Sequence, residues 1–268
     1  MKIAITGKGG VGKTTVAAVL ARLYARAGNE VLAVDADPDA NLGAALGFGA
    51  EELGRLTPVA MMSDLIAERT GAPKGGYGTF FKINPRVSDI PERFALEKDG
   101  VRFLVMGTVE TGGGGCVCPE HVVLRRLMSH LIVGDGGVVI LDMEAGLEHL
   151  GRGTAGAVDQ FVVVVEPGER SFQTYERIRK LAGDLGVARV SLVANKVRGA
   201  ADEAFVAARA PRGALLGTIR YDADLIGADQ GGAPPYDAAP GVVREIGAIK
   251  GRIDAERGSV ALAAQMEE

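Results

Sequence analysis

A glycine-rich stretch at residues 7–15, GKGGVGKTT, constrains the fold of this chain more than any other feature. It follows an apolar run at residues 3–5 and precedes an alanine- and leucine-rich segment at residues 16–26, so it is predicted to join a buried strand to a helix. Glycines let the backbone wrap around a phosphate chain, and the start of a helix favours anions. The stretch therefore predicts a phosphate-binding P-loop after the first strand of an α/β domain.

The side chains of this loop have predicted roles in binding a nucleotide. Lys13 is placed to reach the β- and γ-phosphates, and the Thr14 hydroxyl is placed to hold Mg²⁺. The other loop residues predicted to contact the nucleotide are Gly9, Gly10, Val11, Gly12 and Thr15. Lys8 lies too near the glycine turn to fold back easily onto the same phosphates, yet it could reach a phosphate bound by a facing copy of the chain. The alternative for Lys8 is a solvated surface lysine.

Composition agrees with a parallel α/β protein. Apolar residues make up 47% of the 268 residues, and 39 glycines and repeated Val/Ile/Leu runs are typical of such a fold with many tight turns. We predict a single P-loop domain over residues 1–268, with a mostly parallel central sheet flanked by helices. Residues from about 47 to 100 are predicted to be an insertion of uncertain structure.

Charge and the distribution of apolar residues bear on the partners of the chain. The net charge is −4 and the pI is about 5.6, so no basic field indicates nucleic acid or an anionic membrane as a main partner. The first strand begins at residue 2, which leaves no room for a signal peptide, and no apolar run reaches the length of a membrane span. We therefore expect a cytoplasmic protein.

Three carboxylates, Asp35, Asp37 and Asp39, follow a second apolar run at residues 30–34. Alternation along an extended chain would send all three to one side, but Pro38 predicts a turn, so we expect them to diverge. One of these carboxylates near the γ-phosphate could orient water and contact the Mg²⁺ shell. Asp39 is expected to cap the short helix that follows.

A further buried strand is predicted at residues 137–142 and ends in Asp142, which places this carboxylate near the Mg²⁺. The chain continues to Gly146, whose N–H could be offered to the γ-phosphate. In that arrangement the segment is a switch whose position reports the nucleotide state. Glu144 and Glu148 beside it are either part of the switch or ordinary solvated residues.

The two cysteines, Cys116 and Cys118, are separated by one residue and follow a run of glycines. Pro119 suits the first turn of a helix, so both thiols are predicted to lie just before a helix N-terminus, which favours the metal-binding thiolate. Such a pair supplies two soft ligands, whereas a tetrahedral Zn²⁺ or a thiolate nickel site needs four, which a two-fold dimer would provide. The alternatives are two free thiols, a strained redox-active disulfide, or His121 as a third ligand.

Two residues near the C-terminal strands are candidates for contacts with the base. A strand is predicted at residues 187–194, and the amide of Asn195 after it lies on the side of the sheet where nucleotides bind. Such an amide can hydrogen-bond adenine, although a turn asparagine is the alternative. Tyr221 follows the last predicted strand, at residues 214–219, and is expected to flank the base.

Several motifs together resemble the CooC-type ATPases that insert nickel into carbon monoxide dehydrogenase. The motifs are GKGGVGKTT at 7–15, VDADPDANL at 34–42, GCVCP at 115–119, LDMEAGLEHLGRGT at 141–154 and VANK at 193–196. The first also resembles the deviant Walker A motif of the MinD, ParA and nitrogenase iron protein class, which are SIMIBI-type P-loop NTPases that form dimers. The resemblance implies ATP hydrolysis with Asp37 as a catalytic residue and Lys8 acting across a homodimer. It also implies Ni²⁺ or Zn²⁺ bound by Cys116 and Cys118 at the dimer interface.

Three other functions compete with this interpretation. The maturation ATPase for acetyl-CoA synthase is closely related. Electron-transfer ATPases like the nitrogenase iron protein hold a [4Fe–4S] cluster with two cysteines per subunit from separate loops; Cys116 falls near the first position, but Ala145 occupies the second. Spatial organisers of the MinD and ParA type bind membrane or DNA, yet the closing helix predicted at residues 242–256 lacks a basic amphipathic face.

Overall fold

The computed structural model of the chain describes residues 1–73, 80–107, 118–133, 137–145, 158–187 and 189–265. The strands in these ranges are β1 (Lys2–Gly7), β2 (Val31–Asp35), β3 (Leu96–Lys98), β4 (Val101–Val105), β5 (Val138–Asp142), β6 (Gln160–Val165), β7 (Val190–Val197) and β8 (Leu215–Arg220). They form one sheet in the order β3-β4-β2-β5-β1-β6-β7-β8. Neighbouring strands are parallel except β3 and β4. The predicted fold class is confirmed.

Helices cover both faces of this sheet. They are α1 (Lys13–Arg26), α2 (Leu42–Ala45), α3 (Ala50–Gly54), α4 (Ser63–Thr70), α5 (Ile90–Phe94), α6 (Pro119–Val133), α7 (Glu169–Asp184), α8 (Ala200–Arg209), α9 (Asp224–Gly231), α10 (Pro235–Ala238) and α11 (Pro240–Gln265), with a 3₁₀ turn at Val59–Met61. Among the helices in the described ranges, none has the length and apolar character needed to cross a membrane.

Alternation of side chains along the strands separates two hydrophobic cores. In β1, Ile3 and Ile5 pack in the core that contains α1 and α11. Ala4 belongs to the opposite core, which contains α6 and α7. Because consecutive strand residues point to opposite faces, the strands at the centre of the sheet contribute to both cores. Burial on both faces explains why these strands read as continuous apolar runs in the sequence.

The predicted position of one strand is wrong, because β7 runs from Val190 to Val197 and not over residues 187–194. Val187 lies before the strand, and its N–H donates to the carbonyl of Ala182 at the end of α7. Asn195 and Lys196 are consequently part of β7 itself. The two short helices α9 and α10 between β8 and α11 were not predicted either.

Residues 47–100, predicted to be an insertion, contribute to both cores where they are described. Phe48 packs in the core of α1, whereas Leu65 and Ile90 pack in the core of α6. Within this region the 3₁₀ turn at Val59–Met61 leads directly into α4. Residues 74–79 lie outside the described ranges. The assignment of this region as an insertion stays a prediction.

Candidate functional site

The loop between β1 and α1 adopts a backbone that its glycines permit. Gly10 and Gly12 have left-handed φ angles of +78° and +94°. A Cβ on Gly12 would lie 2.2 Å from Nδ2 of Asn195, so a larger residue does not fit there without displacing the amide. The N–H of Val16 donates to the carbonyl of Gly12 as α1 begins. The loop thus leads into a helix N-terminus, which is a favourable position for a phosphate group.

A cavity of about 890 Å³ opens at this loop, on the carboxyl edge of the sheet. Such a volume is in the range of small-molecule and cofactor sites. The residues of the predicted site that line it together are Gly9, Gly10, Gly12, Lys13, Thr14, Thr15 and Asp37. The fold therefore brings the glycine-rich loop and the acidic segment after β2 to one cavity, as expected where parallel strands end side by side.

The β5 carboxylate Asp142 lies directly beside the loop. Its Oδ2 accepts a hydrogen bond of 2.7 Å from the Thr14 hydroxyl, and its buried Oδ1 has no hydrogen-bond partner among the described residues. Burial raises the pKa of Asp142 to about 7, and the nearby charge of Asp35 adds to the increase. A hydroxyl and a carboxylate with an unsatisfied oxygen fit the ligand preference of Mg²⁺. These two residues therefore suit the predicted magnesium site.

The three acidic residues at the end of β2 and just after it diverge, as predicted. Asp37 Oδ2 lies 3.5 Å from Nζ of Lys13, and Asp39 is exposed. Asp35 is fully buried, and its carboxylate accepts the N–H groups of Leu42, at 2.9 Å, and of Asp37, at 3.1 Å. Burial raises the pKa of Asp35 to about 6. The prediction that Asp39 caps α2 is wrong. Asp35 accepts the first N–H of that helix instead.

Lys8 and Gly146 are two further residues of the predicted site, and the structure describes the first of them. Lys8 is half-buried, and its carbonyl accepts the N–H of Val11. Gly146 lies outside the described residues. Just before it, Glu144 lines the cavity, and its carbonyl accepts the Thr6 hydroxyl at 2.6 Å. The segment after β5 is therefore attached to β1 next to the loop.

Asn195 and Tyr221, predicted to contact adenine, do not line the described cavity. Asn195 is 5% exposed, and its Nδ2 donates to the carbonyl of Val11 at 2.8 Å. Its Oδ1 accepts the N–H of Lys196 at 2.8 Å. Tyr221 is 40% exposed, and the guanidinium of Arg198 lies over its ring. A contact between adenine and either residue stays a prediction.

One group of residues that line the cavity was not predicted from the sequence. Leu225 and Ala228 of α9, together with Ala233 and Pro235, line the same cavity as the loop and form the α9 and α10 wall. The ring of Tyr236 lies 5.1 Å from the guanidinium carbon of Arg22 on α1, which holds α10 against that helix. The stretch GGAPP at residues 231–235 carried a turn signal, but nothing in its composition indicated a ligand.

Only one of the two predicted metal-binding cysteines is described. Cys118 immediately precedes Pro119, the first residue of α6, so the predicted helix start is confirmed. Its carbonyl accepts the N–H of Val122, and its side chain is partly exposed. Cys116 lies outside the described residues. Within the described ranges, no group of three or more His, Cys, Asp or Glu side chains is placed to hold a metal ion.

Residues 2–235 match the family model described as the CobQ/CobB/MinD/ParA nucleotide-binding domain. The chain belongs to this family of nucleotide-binding proteins, and within it to the branch of the carbon monoxide dehydrogenase accessory protein CooC. It is 50% identical to CooC of Rhodospirillum rubrum over 240 residues, which cover 90% of this chain and 91% of that protein.

Two other comparisons extend this relationship. An uncharacterised ATP-binding protein of Methanocaldococcus jannaschii is 47% identical over 236 residues, 87% of this chain and 90% of that protein. Among solved structures, the septum site-determining protein MinD of Pyrococcus horikoshii in complex with Mg-ADP superimposes with a TM-score of 0.66. The match covers 96% of this chain and 97% of MinD at 20% identity, so it shows the fold alone.

Proposed function

We propose that this chain binds ATP with Mg²⁺ and hydrolyses it. The observation that carries the proposal is that Lys13, Thr14 and Asp37 line one cavity at the start of α1, with Asp142 hydrogen-bonded to Thr14 beside it. Lys13 would bind the β- and γ-phosphates, and Thr14 with Asp142 would hold Mg²⁺. When bound, Mg²⁺ supplies positive charge that neutralises the phosphate oxygens. Membership of a nucleotide-binding family supports the choice of ligand.

Asp37 is the residue proposed to act on the attacking water. Its carboxylate lies 3.5 Å from Nζ of Lys13, so it would be close to a γ-phosphate that Lys13 binds. Phosphoryl transfer depends chiefly on positioning and on charge stabilisation, and a carboxylate at this point can orient the nucleophile. Lys8 is proposed to contact the nucleotide of a second subunit, which would make a homodimer the active form.

The client proposed for this ATPase is carbon monoxide dehydrogenase. Identity of 50% to its accessory protein CooC over nine-tenths of both chains supports this choice. In the proposed dimer, Cys116 and Cys118 of both subunits supply four thiolates that carry Ni²⁺, with Zn²⁺ as the competing ion. The start of a helix at Pro119 supports thiolate character at Cys118.

The sheet provides a route by which the nucleotide could act on the thiolate segment. β2 and β4 are neighbours, and the N–H of Met106, just after β4, donates to the carbonyl of Asp35 at 2.9 Å. The chain therefore leaves β4, in the direction of the cysteines, beside the end of β2. Asp37 lies two residues after that end. Hydrolysis would shift the segment after β2 and weaken the metal site when the client is bound.

The accessory role is tested by adding nickel to nickel-free carbon monoxide dehydrogenase in the presence of this chain. We expect activation that requires ATP and fails with Lys13→Ala, which cannot bind the phosphates. Nickel-free acetyl-CoA synthase, assayed in parallel, separates the two clients. Activation by the Lys13→Ala protein equal to that by the unmodified chain would contradict an ATP-dependent role.

The electron-transfer alternative is disfavoured by Ala145. This residue occupies the position of the second cluster cysteine and lines the nucleotide cavity, where it supplies no ligand. If the reconstituted protein shows the absorption spectrum of a [4Fe–4S] cluster, that result would support electron transfer over nickel insertion. For the spatial-organiser alternative, the solved structures share the fold at low identity, which says nothing about membrane or DNA binding.

A further inference from the structure

The end of β7 is attached to the phosphate-binding loop by two consecutive side chains. Nδ2 of Asn195 donates to the carbonyl of Val11 at 2.8 Å, and Nζ of Lys196 donates to the carbonyl of Gly10 at 2.6 Å. Both acceptors belong to the loop that precedes α1. Two neighbouring loop carbonyls are therefore bound by β7 side chains.

The contact is closely fitted around the amide of Asn195. This side chain is 5% exposed, and its Oδ1 accepts the N–H of Lys196, which fixes the orientation of the amide. Gly12 has no Cβ at the position where one would come within 2.2 Å of Nδ2. The side chain packs against the loop on one side and the strand on the other, which leaves it outside the lining of the cavity.

The backbone of Lys196 is also unusual. It has a positive φ of 59°, an uncommon conformation for a residue with a side chain. Its Nζ reaches Gly10 and lies 3.7 Å from the carboxylate of Glu166, which follows β6. Such backbone outliers persist where the surrounding contacts hold them, and here those contacts are made with the loop.

We propose that Asn195 and Lys196 are positioning residues that preorganise the loop for phosphate. Holding the carbonyls of Gly10 and Val11 toward β7 keeps the N–H groups of the loop available to the phosphate side. A loop ordered before binding loses less conformational freedom when the nucleotide arrives. The inference rests on the proposed ATP binding and assigns the amide a role that is independent of the base.

Affinities for ATP, GTP and inorganic tripolyphosphate distinguish the two roles of Asn195. For Asn195→Ala we expect the dissociation constant of tripolyphosphate to rise together with those of ATP and GTP, by about two- to tenfold, as for the loss of one hydrogen bond. A residue that only contacts adenine would instead lower the affinity for ATP alone, and unaltered tripolyphosphate binding would overturn the proposal.

Lys196 provides a second variant because its side chain is 42% exposed and its removal spares the core. Lys196→Met should weaken all three ligands, and Lys196→Arg should restore part of the affinity. The matched control is Arg198→Met, which removes one positive charge two residues further along, where the guanidinium faces Tyr221. Equal losses in Lys196→Met and Arg198→Met would indicate a general charge effect and contradict the positioning role.

Hydrogen exchange of the nucleotide-free protein makes the test independent of ATP binding. Peptides covering residues 7–15 should exchange about two- to tenfold faster in Asn195→Ala and Lys196→Met than in the unmodified chain and Arg198→Met. Unchanged exchange in both variants would refute the attachment of the loop. If the unmodified chain fails to bind ATP, the proposed function fails, whereas the exchange result still decides whether these residues hold the loop.

Discussion

Lys13 and Asp37 form an ion pair, and their proposed roles differ. Lys13 is almost fully buried beside the loop, and Asp37 faces it from the segment after β2. We expect Lys13→Ala to abolish nucleotide binding, because the phosphates lose their main cation. Asp37→Ala should bind ATP and lose hydrolysis by about 100-fold or more, the scale of a lost acid–base group.

Nucleotide affinity and phosphate release, measured on the same preparations, check both expectations. Asp37→Asn serves as the matched variant, since an asparagine oxygen still accepts the N–H of Asp39 that Asp37 Oδ1 accepts. It should bind ATP and fail to turn over like Asp37→Ala. Hydrolysis by either variant at the rate of the unmodified chain would remove Asp37 from the mechanism.

Buried Asp35 makes the stability of the nucleotide-free protein depend on pH. Its pKa is about 6 in the folded chain because of burial, above the ordinary value of 3.8. The folded state therefore binds the proton more tightly, so the free energy of unfolding falls as the pH rises from about 4 to about 6. The pKa difference corresponds to a loss of up to about 3 kcal/mol from this residue.

Urea unfolding without Mg²⁺ at several pH values measures this dependence. Asp35→Asn should be less stable overall, because it loses one of the two acceptors that bind Leu42 and Asp37. Its stability should nevertheless fall less steeply between pH 4 and 6, with Asp142 supplying the remaining slope. A slope as steep as that of the unmodified chain would show that Asp35 is not the titrating group.

Among the structural elements, the strands and the loop could be predicted from the sequence, but the α9 and α10 wall of the cavity could not. The apolar runs before Gly7 and Asp142 predict buried strands because both faces of the sheet are covered. The α9 and α10 wall has no such periodicity. It is held by tertiary contacts, such as Tyr236 with Arg22, that no local pattern reveals.

Asn195 illustrates the same limit for a predicted site residue. Its place near the carboxyl edge of the sheet was predicted, but the strand extends past it to Val197. That shift of three residues follows from pairing with β6 and β8, which local propensity does not encode. The consequence is that the amide contacts Val11 and not the cavity.

The α9 and α10 wall predicts a variant that separates base binding from phosphate binding. Ala233 is exposed and lines the cavity as part of this wall. We expect Ala233→Phe to lower the affinity for ATP about tenfold or more by occupying space needed for the nucleoside, and to leave tripolyphosphate affinity unchanged.

Calorimetric titration with both ligands checks this expectation. The matched control is Ala207→Phe, which places the same ring on the exposed side of α8, away from the cavity lining. Equal ATP affinity in the two variants would show that the nucleoside does not lie against this wall.

Across the whole molecule, the proposed two-fold dimer would join the nucleotide site to the metal site. The family and the fold were recognisable from spaced motifs, because glycines and acids at strand ends report the topology directly. The thiolate site is a different case. Four ligands for a metal require two chains, so a single chain holds half of the proposed site.

Molar mass and metal content, measured together, test whether two chains share one thiolate site. Reduced apo-protein is titrated with Ni²⁺ and separately with Zn²⁺, with and without ATP, and analysed by light scattering and elemental analysis. We expect one metal ion per two chains in a dimer, and no metal-driven dimer for the Cys116→Ala, Cys118→Ala double variant, which should still bind ATP. A chain that dimerises with ATP but takes up no metal, or a double variant that retains stoichiometric metal, would contradict the shared thiolate site.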